Sequence, residues 1–176
     1  MRAFIALPVT AEIRKACLDT QRLLQKKGVR GRFSPPENLH VTLCFLGEVK
    51  DPAPVIEALR QIPLPKTALD FDRLTLFGDV AVALLRRNET LETYVKTLRQ
   101  ALDAAGITYD RQAFRPHITL ARKTALPCPD FKLYQCAQPL GKAKLPVKKV
   151  NLMASDLSGG TPKYTVVFSK TLTTGH

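Results

Sequence analysis

Asn38-Leu39-His40-Val41-Thr42-Leu43 is answered later in the chain by Arg115-Pro116-His117-Ile118-Thr119-Leu120. Both stretches read histidine, β-branched residue, threonine, leucine. The chain has 3 histidines, and the third, His176, stands at the last position. Each internal histidine therefore occupies the same four-residue frame. A strand turns successive side chains to opposite faces, so His40 and Thr42 share one face while Val41 and Leu43 share the other. The same holds for His117 and Thr119 against Ile118 and Leu120. The apolar set suits a core, and the His-Thr set suits presentation. The two frames predict two strands whose His-Thr pairs face each other across one cleft.

The segments around each frame are similar in kind. Residues 2–7 are apolar on both faces, as an interior strand requires, and Pro8 ends them. Thr10 caps a helix running to about Lys27, with Ile13, Ala16, Cys17, Thr20, Leu23 and Leu24 at helical spacing and Gly28 closing it. Gly31 to Ser34 read as a short strand. Pro35 to Asn38 make a rigid bend into the first histidine strand, about Leu39 to Leu46, which Gly47 ends. Asp51-Pro52 starts a second helix with an apolar stripe of Val55, Ile56, Leu59 and Ile62. Residues 68–87 form a hairpin about Gly78-Asp79, with an irregularity in its first strand. Asn88 caps a third helix with Leu91, Tyr94, Val95, Leu98, Leu102 and Ala105 inward, and Gly106 closes it. The second histidine strand runs from about Arg115 to Arg122. Residues 123–142 look irregular. A hairpin of Val147 to Leu157 and Tyr164 to Thr171, turning at Ser158-Gly159-Gly160, closes the fold, and residues 173–176 are expected to fray.

Each frame thus follows an amphipathic helix and a loop. This pattern predicts an α+β fold with two pseudo-symmetric lobes. Each lobe has an antiparallel sheet and flanking helices, the active-site cleft lies between them, and residues 1–176 form a single bilobal domain.

The chain of 176 residues is 45% hydrophobic and 24% charged, ordinary for a globular protein. No apolar run approaches the roughly 20 residues that span a bilayer. The opening apolar stretch is too short for a signal-peptide core, so the expectation is a cytoplasmic, monomeric protein without a membrane partner. Cys17, Cys44, Cys128 and Cys136 form no C-x-x-C pair and read as reduced thiols. Strict alternation puts Cys44 on the face of His40 and Thr42, where packing or lining outweighs catalysis as its role. The net charge of +12 favours polyanionic partners, nucleic acid first. Lys142, Lys144, Lys148 and Lys149 form one basic cluster, and Lys26, Lys27, Arg30 and Arg32 another.

Two imidazoles across a cleft supply a base and an acid, which in-line displacement at phosphorus requires. Thr42 and Thr119 can hydrogen-bond the non-bridging oxygens, and Arg115 can offer its fork to the phosphate. A lone histidine is more often structural, but two in one frame, with no other internal histidine, reverse that weighting. A metal site is the weaker reading, because no third or fourth ligand has a helpful spacing. A serine nucleophile lacks its G-x-S-x-G motif. No cofactor is called for.

The residues around the two frames make the chain resemble the two-histidine phosphoesterase superfamily, and within it the RNA 2′,3′-cyclic phosphodiesterases of the LigT-like branch, also called 2′-5′ RNA ligases. The resemblance spans nearly the whole chain. It rests on Arg2 to Ala6, Glu37 to Glu48, Phe114 to Arg122, Val150 to Ser155 and Tyr164 to Val167. It implies a bilobal fold and metal-independent hydrolysis of RNA 2′,3′-cyclic phosphate ends to 2′-phosphates. It further implies His40 as proton donor, His117 as proton acceptor, and Thr42 and Thr119 as phosphate holders. The partner implied is RNA with a cyclic phosphate end, such as tRNA fragments. Some relatives carry a tryptophan in the central hairpin. This chain has none, so base stacking would fall to Phe33, Phe77, Tyr164 or another ring, each of which also reads as core. Two alternatives stay open from sequence: ligation of tRNA halves, and an RNA-binding module that grips phosphorylated ends without turnover.

Overall fold

In the computed structural model, residues 1–173 are described, so the expected fraying at 174–176 lies outside them. The elements are β1 (Arg2–Pro8), α1 (Ala11–Lys26), β2 (Arg30–Phe33), β3 (His40–Glu48), α2 (Ala53–Gln61), β4 (Ala68–Phe77), β5 (Val80–Leu85), α3 (Glu89–Ala104), β6 (His117–Ala125), β7 (Lys144–Pro146), β8 (Lys149–Asp156) and β9 (Lys163–Thr171).

The helix ends are set by polar caps. Thr10 Oγ1 accepts from Ile13 N, and Asn88 Oδ1 accepts from Leu91 N at 2.9 Å. Asp51 Oδ1 accepts from Ala53 N at the start of α2. At the other end of α2, Lys170 Nζ on β9 donates to the carbonyls of Arg60 and Ile62, a cation placed where a helix leaves its last acceptors free.

The strands run in the order β7-β4-β5-β6-β3-β1-β8-β9, with β2 paired to β6 off this path. Every pairing is antiparallel. The two histidine strands lie at the centre. On one side stand β3, β1, β8 and β9; on the other β6, β5, β4 and β7. Each half carries a strand, a helix and then its histidine strand in chain order: β1-α1-β3 and β5-α3-β6. Both helices have 16 residues and both histidine strands have 9. The expected bilobal α+β arrangement is what the chain adopts.

The halves meet at one cross-strand pair, Val41 with Ile118. Further along, β6 takes β2 as its neighbour, through Arg32-Arg122 and Phe33-Ala121. Val41, Leu43, Ile118 and Leu120 are at most 2% exposed, as the frames predicted. Each such side chain contributes about 1.5–3 kcal/mol by leaving water.

Three boundaries differ from expectation, the first being β6, which runs His117–Ala125 rather than from about Arg115 to Arg122. Gly47 does not end its strand: with φ +70° it lies within β3, opposite Ala3. The segment 144–146 forms β7 against β4, burying Leu145 beside Leu69. A three-residue strand ending in proline carries too little periodicity to be read from sequence.

Candidate functional site

The histidine rings are aimed by their own chain. Nδ1 of His40 donates to the Asn38 carbonyl at 2.7 Å, and Nδ1 of His117 donates to the Arg115 carbonyl at the same distance. A carbonyl only accepts, so each Nδ1 carries a proton and each Nε2 is left free to exchange one. His40 Nε2 lies 2.8 Å from Thr42 Oγ1, whose hydroxyl donates to it in the neutral ring. A cleft of about 210 Å³ is lined by His40, Thr42, His117 and Thr119 together. The structure thus brings both His-Thr pairs to one cavity.

Arg122 completes that cavity, and strict alternation hides it. Counting by twos from His117 puts Arg122 on the core side with Ile118 and Leu120. The pairing slips, however: Val82 faces Thr119 but Ala81 faces Ala121, so Leu120 is an extra residue. Such a bulge resets the alternation beyond it. Ala121 turns into the core and Arg122 turns out.

The first strand slips at the same point of its frame, since Ala6 faces Thr42 and Ile5 faces Cys44. Cys44 therefore packs in the core at 3% exposure, where burial pushes its thiol up to about 11. Phe45 takes the outward position and lines the cleft. The same bulge in both frames is legible only by comparing the runs His-x-Thr-Leu-Cys-Phe and His-x-Thr-Leu-Ala-Arg after the structure shows it.

The bulge in β6 has its own support. The Leu120 carbonyl accepts from Ser34 N at 2.9 Å and from Gln21 Nε2 at 3.0 Å. Gln21, 5% exposed on α1, also donates to the Ser34 carbonyl, and Ser34 Oγ donates to the Thr119 carbonyl. A carbonyl that a bulge leaves out of the ladder needs such donors when it is buried.

Arg115 is placed differently from Arg122. It precedes β6, so strand alternation does not govern its side chain. Its guanidinium sits over the Phe77 ring, 4.5 Å from the centroid, and lines a neighbouring compartment of about 440 Å³ rather than the cleft holding both histidines. What Arg115 gives the histidine directly is its backbone carbonyl.

Aromatic rings wall the cleft. Phe4 lies 5.0 Å from the His40 ring, Tyr164 meets His40 edge-on at 5.4 Å, and Phe77 meets His117 edge-on at 5.0 Å. Phe77 and Tyr164 are half-buried and line the cleft, so they are wall and core at once. Phe33 lines the adjoining compartment.

Both imidazoles are held below their ordinary value of 6.5. Burial is the main cause in each, opposed by the hydrogen bond to the backbone carbonyl. The positive charge of Arg122 acts on both rings, the other imidazole on His40, and Arg115 on His117. Both rings are therefore neutral in the free protein at pH 7. An arriving anion offsets Arg122 and favours a proton on one of them. Among the described residues, no three His, Cys, Asp or Glu side chains gather as metal ligands, and no helix is long and apolar enough to cross a membrane.

Two opposed His-Thr pairs between two antiparallel half-sheets define a two-histidine phosphoesterase, and the chain belongs to the LigT-like phosphoesterase family, whose sequence profile matches residues 7–83 and 85–164. Among its relatives, an RNA 2′,3′-cyclic phosphodiesterase of Thermotoga maritima is 26% identical, over 96% of this chain and 94% of the relative. One of Thermus thermophilus is 30% identical, over 95% of this chain and 88% of the relative. Of solved structures, a Thermus thermophilus protein superposes with a TM-score of 0.76 at 28% identity, covering 98% of both chains. Escherichia coli LigT in complex with 3′-AMP superposes with a TM-score of 0.70 at 28% identity, covering 98% of this chain and 97% of LigT.

Proposed function

We propose that this phosphoesterase hydrolyses RNA 2′,3′-cyclic phosphate ends to 2′-phosphates, with no metal taking part. The observation that carries the reading is the pair of Nε2 atoms, each opposite a carbonyl-anchored Nδ1, sharing one small cleft with two threonines and Arg122.

The cyclic phosphate sits between the rings. Thr42, Thr119 and Arg122 hold its non-bridging oxygens, where charge grows in the transition state. Water enters from the His117 side, and His117 Nε2 takes its proton as the oxygen bonds to phosphorus. The bond from phosphorus to O3′ breaks on the opposite side, and His40 Nε2 returns a proton to O3′. The 2′ oxygen keeps the phosphate. The active form needs one proton on the pair, so the two rings titrate as a unit. The names of the relatives and the geometry agree on the reaction class, and the donor and acceptor roles follow from the family resemblance.

The test is product analysis on an oligonucleotide ending in a 2′,3′-cyclic phosphate, with EDTA present. The expected product is a 2′-phosphate end. A 3′-phosphate product would overturn the reading, because O2′ would then be the leaving oxygen, and no turnover would leave a module that binds ends without cutting.

A further inference from the structure

Three compartments open off the histidine cleft, and they differ in charge. Those of about 620 and 440 Å³ both include the carboxylate of Asp110. The third, about 590 Å³, shares His40, Thr119, Arg122 and Tyr164 with the cleft and adds Arg32 and Lys123. No carboxylate among the described residues lines it.

Arg32 and Arg122 are also direct cross-strand partners of β2 and β6. Like charges at that position repel, and a sheet normally avoids them or places an acid between them. Here neither guanidinium has a salt bridge among the described residues. An anion bound between them would turn the repulsion into a site.

The proposed reaction says which anion. If the leaving O3′ points at His40, then C3′, the rest of the ribose and everything 5′ of it lie on the His40 side of phosphorus. The 590 Å³ compartment is the basic space on that side. Phe33 and Tyr164 also line it, and aromatic rings of this kind can stack on a base.

We propose that Arg32 and Lys123 form a subsite for the phosphodiester joining the terminal nucleotide to the one before it, so that the enzyme selects RNA strands over free nucleoside 2′,3′-cyclic phosphates. This rests on the hydrolytic reading above for the direction of the strand.

The experiment compares kcat/KM for a dinucleotide ending in a 2′,3′-cyclic phosphate with that for the nucleoside 2′,3′-cyclic phosphate, in the wild type and in Arg32→Ala, Arg32→Lys and Lys123→Ala. The wild type is expected to prefer the dinucleotide. Arg32→Ala should lower that preference about tenfold, the scale of one charge-assisted hydrogen bond, and Arg32→Lys should restore part of it. A wild type without preference, or a ratio unmoved in both alanine variants, overturns the subsite. Calorimetric titration with a dinucleotide ending in a 2′-phosphate and with a nucleoside 2′-phosphate gives the same ratio as affinities. If neither cyclic substrate turns over, the hydrolytic reading fails and the affinity ratio alone decides the subsite. Circular dichroism melts confirm that each variant is folded.

Discussion

A histidine is useful in this cleft because a backbone carbonyl fixes one nitrogen and the other can exchange a proton. Replacing His40 or His117 by Ala should each lower kcat by about 10²–10⁴-fold, the worth of general acid or base help, measured on a cyclic-phosphate oligonucleotide. Arg122 acts on both rings through its charge. Arg122→Gln should therefore move both limbs of the pH profile of kcat/KM upward, because a neighbouring cation disfavours the protonated ring. A profile that keeps its position would show that Arg122 does not act on the imidazoles. The sequence showed the histidines and threonines because residue types two apart survive any strand. It hid Arg122 because a bulge changes the count without changing the composition. The same slip explains why Cys44, assigned to the cleft face by counting, is packed in the core.

At the scale of elements, the site depends on how closely β2 approaches β6. A methyl group at Gly31 would meet the Arg122 carbonyl oxygen at 2.9 Å, and that oxygen is backbone and cannot swing aside. Gly31→Ala should push β2 away and raise KM for the RNA end, with a lowered Tm recorded by thermal melting. An unaltered crystal position of Arg122 in that variant would sink the idea. Helix α3 holds a different weakness. The Tyr94 hydroxyl on α3 is buried with no hydrogen-bond partner among the described residues, and burial pushes it up to about 12. Tyr94→Phe should leave stability unchanged or raise it by about 1 kcal/mol in urea unfolding, since an unmet buried hydroxyl is a cost. The helices, caps and hairpins were legible because each has a local signal: Thr10, Asn88, Gly78-Asp79. β7 was not, because its register comes from β4 and from no feature of its own three residues.

For the whole molecule, both depressed imidazoles link folding to pH. A base whose folded value lies below its unfolded 6.5 binds fewer protons when folded, so stability is complete above 6.5 and declines as pH falls from there toward the folded value. The double variant His40→Asn with His117→Asn should lose that decline, read as Tm against pH between about 7 and 5, a window set by the unfolded value. The bilobal plan itself was legible from the repeated frame, since two copies of strand, helix and histidine strand leave few other arrangements. The order of the outer strands was not, because it depends on contacts between residues far apart in the chain.

The two frames differ at the fifth residue past the histidine, where one bulge presents Phe45 and the other Arg122. A cleft with perfect twofold symmetry would accept a cyclic phosphate equally well in two orientations that exchange the roles of the histidines and give the same product. One charged side chain contributed by only one of the two frames gives the cavity a direction. How unequally the two histidines share the acid and base roles is therefore a gauge of how far the two halves of this protein have diverged from each other.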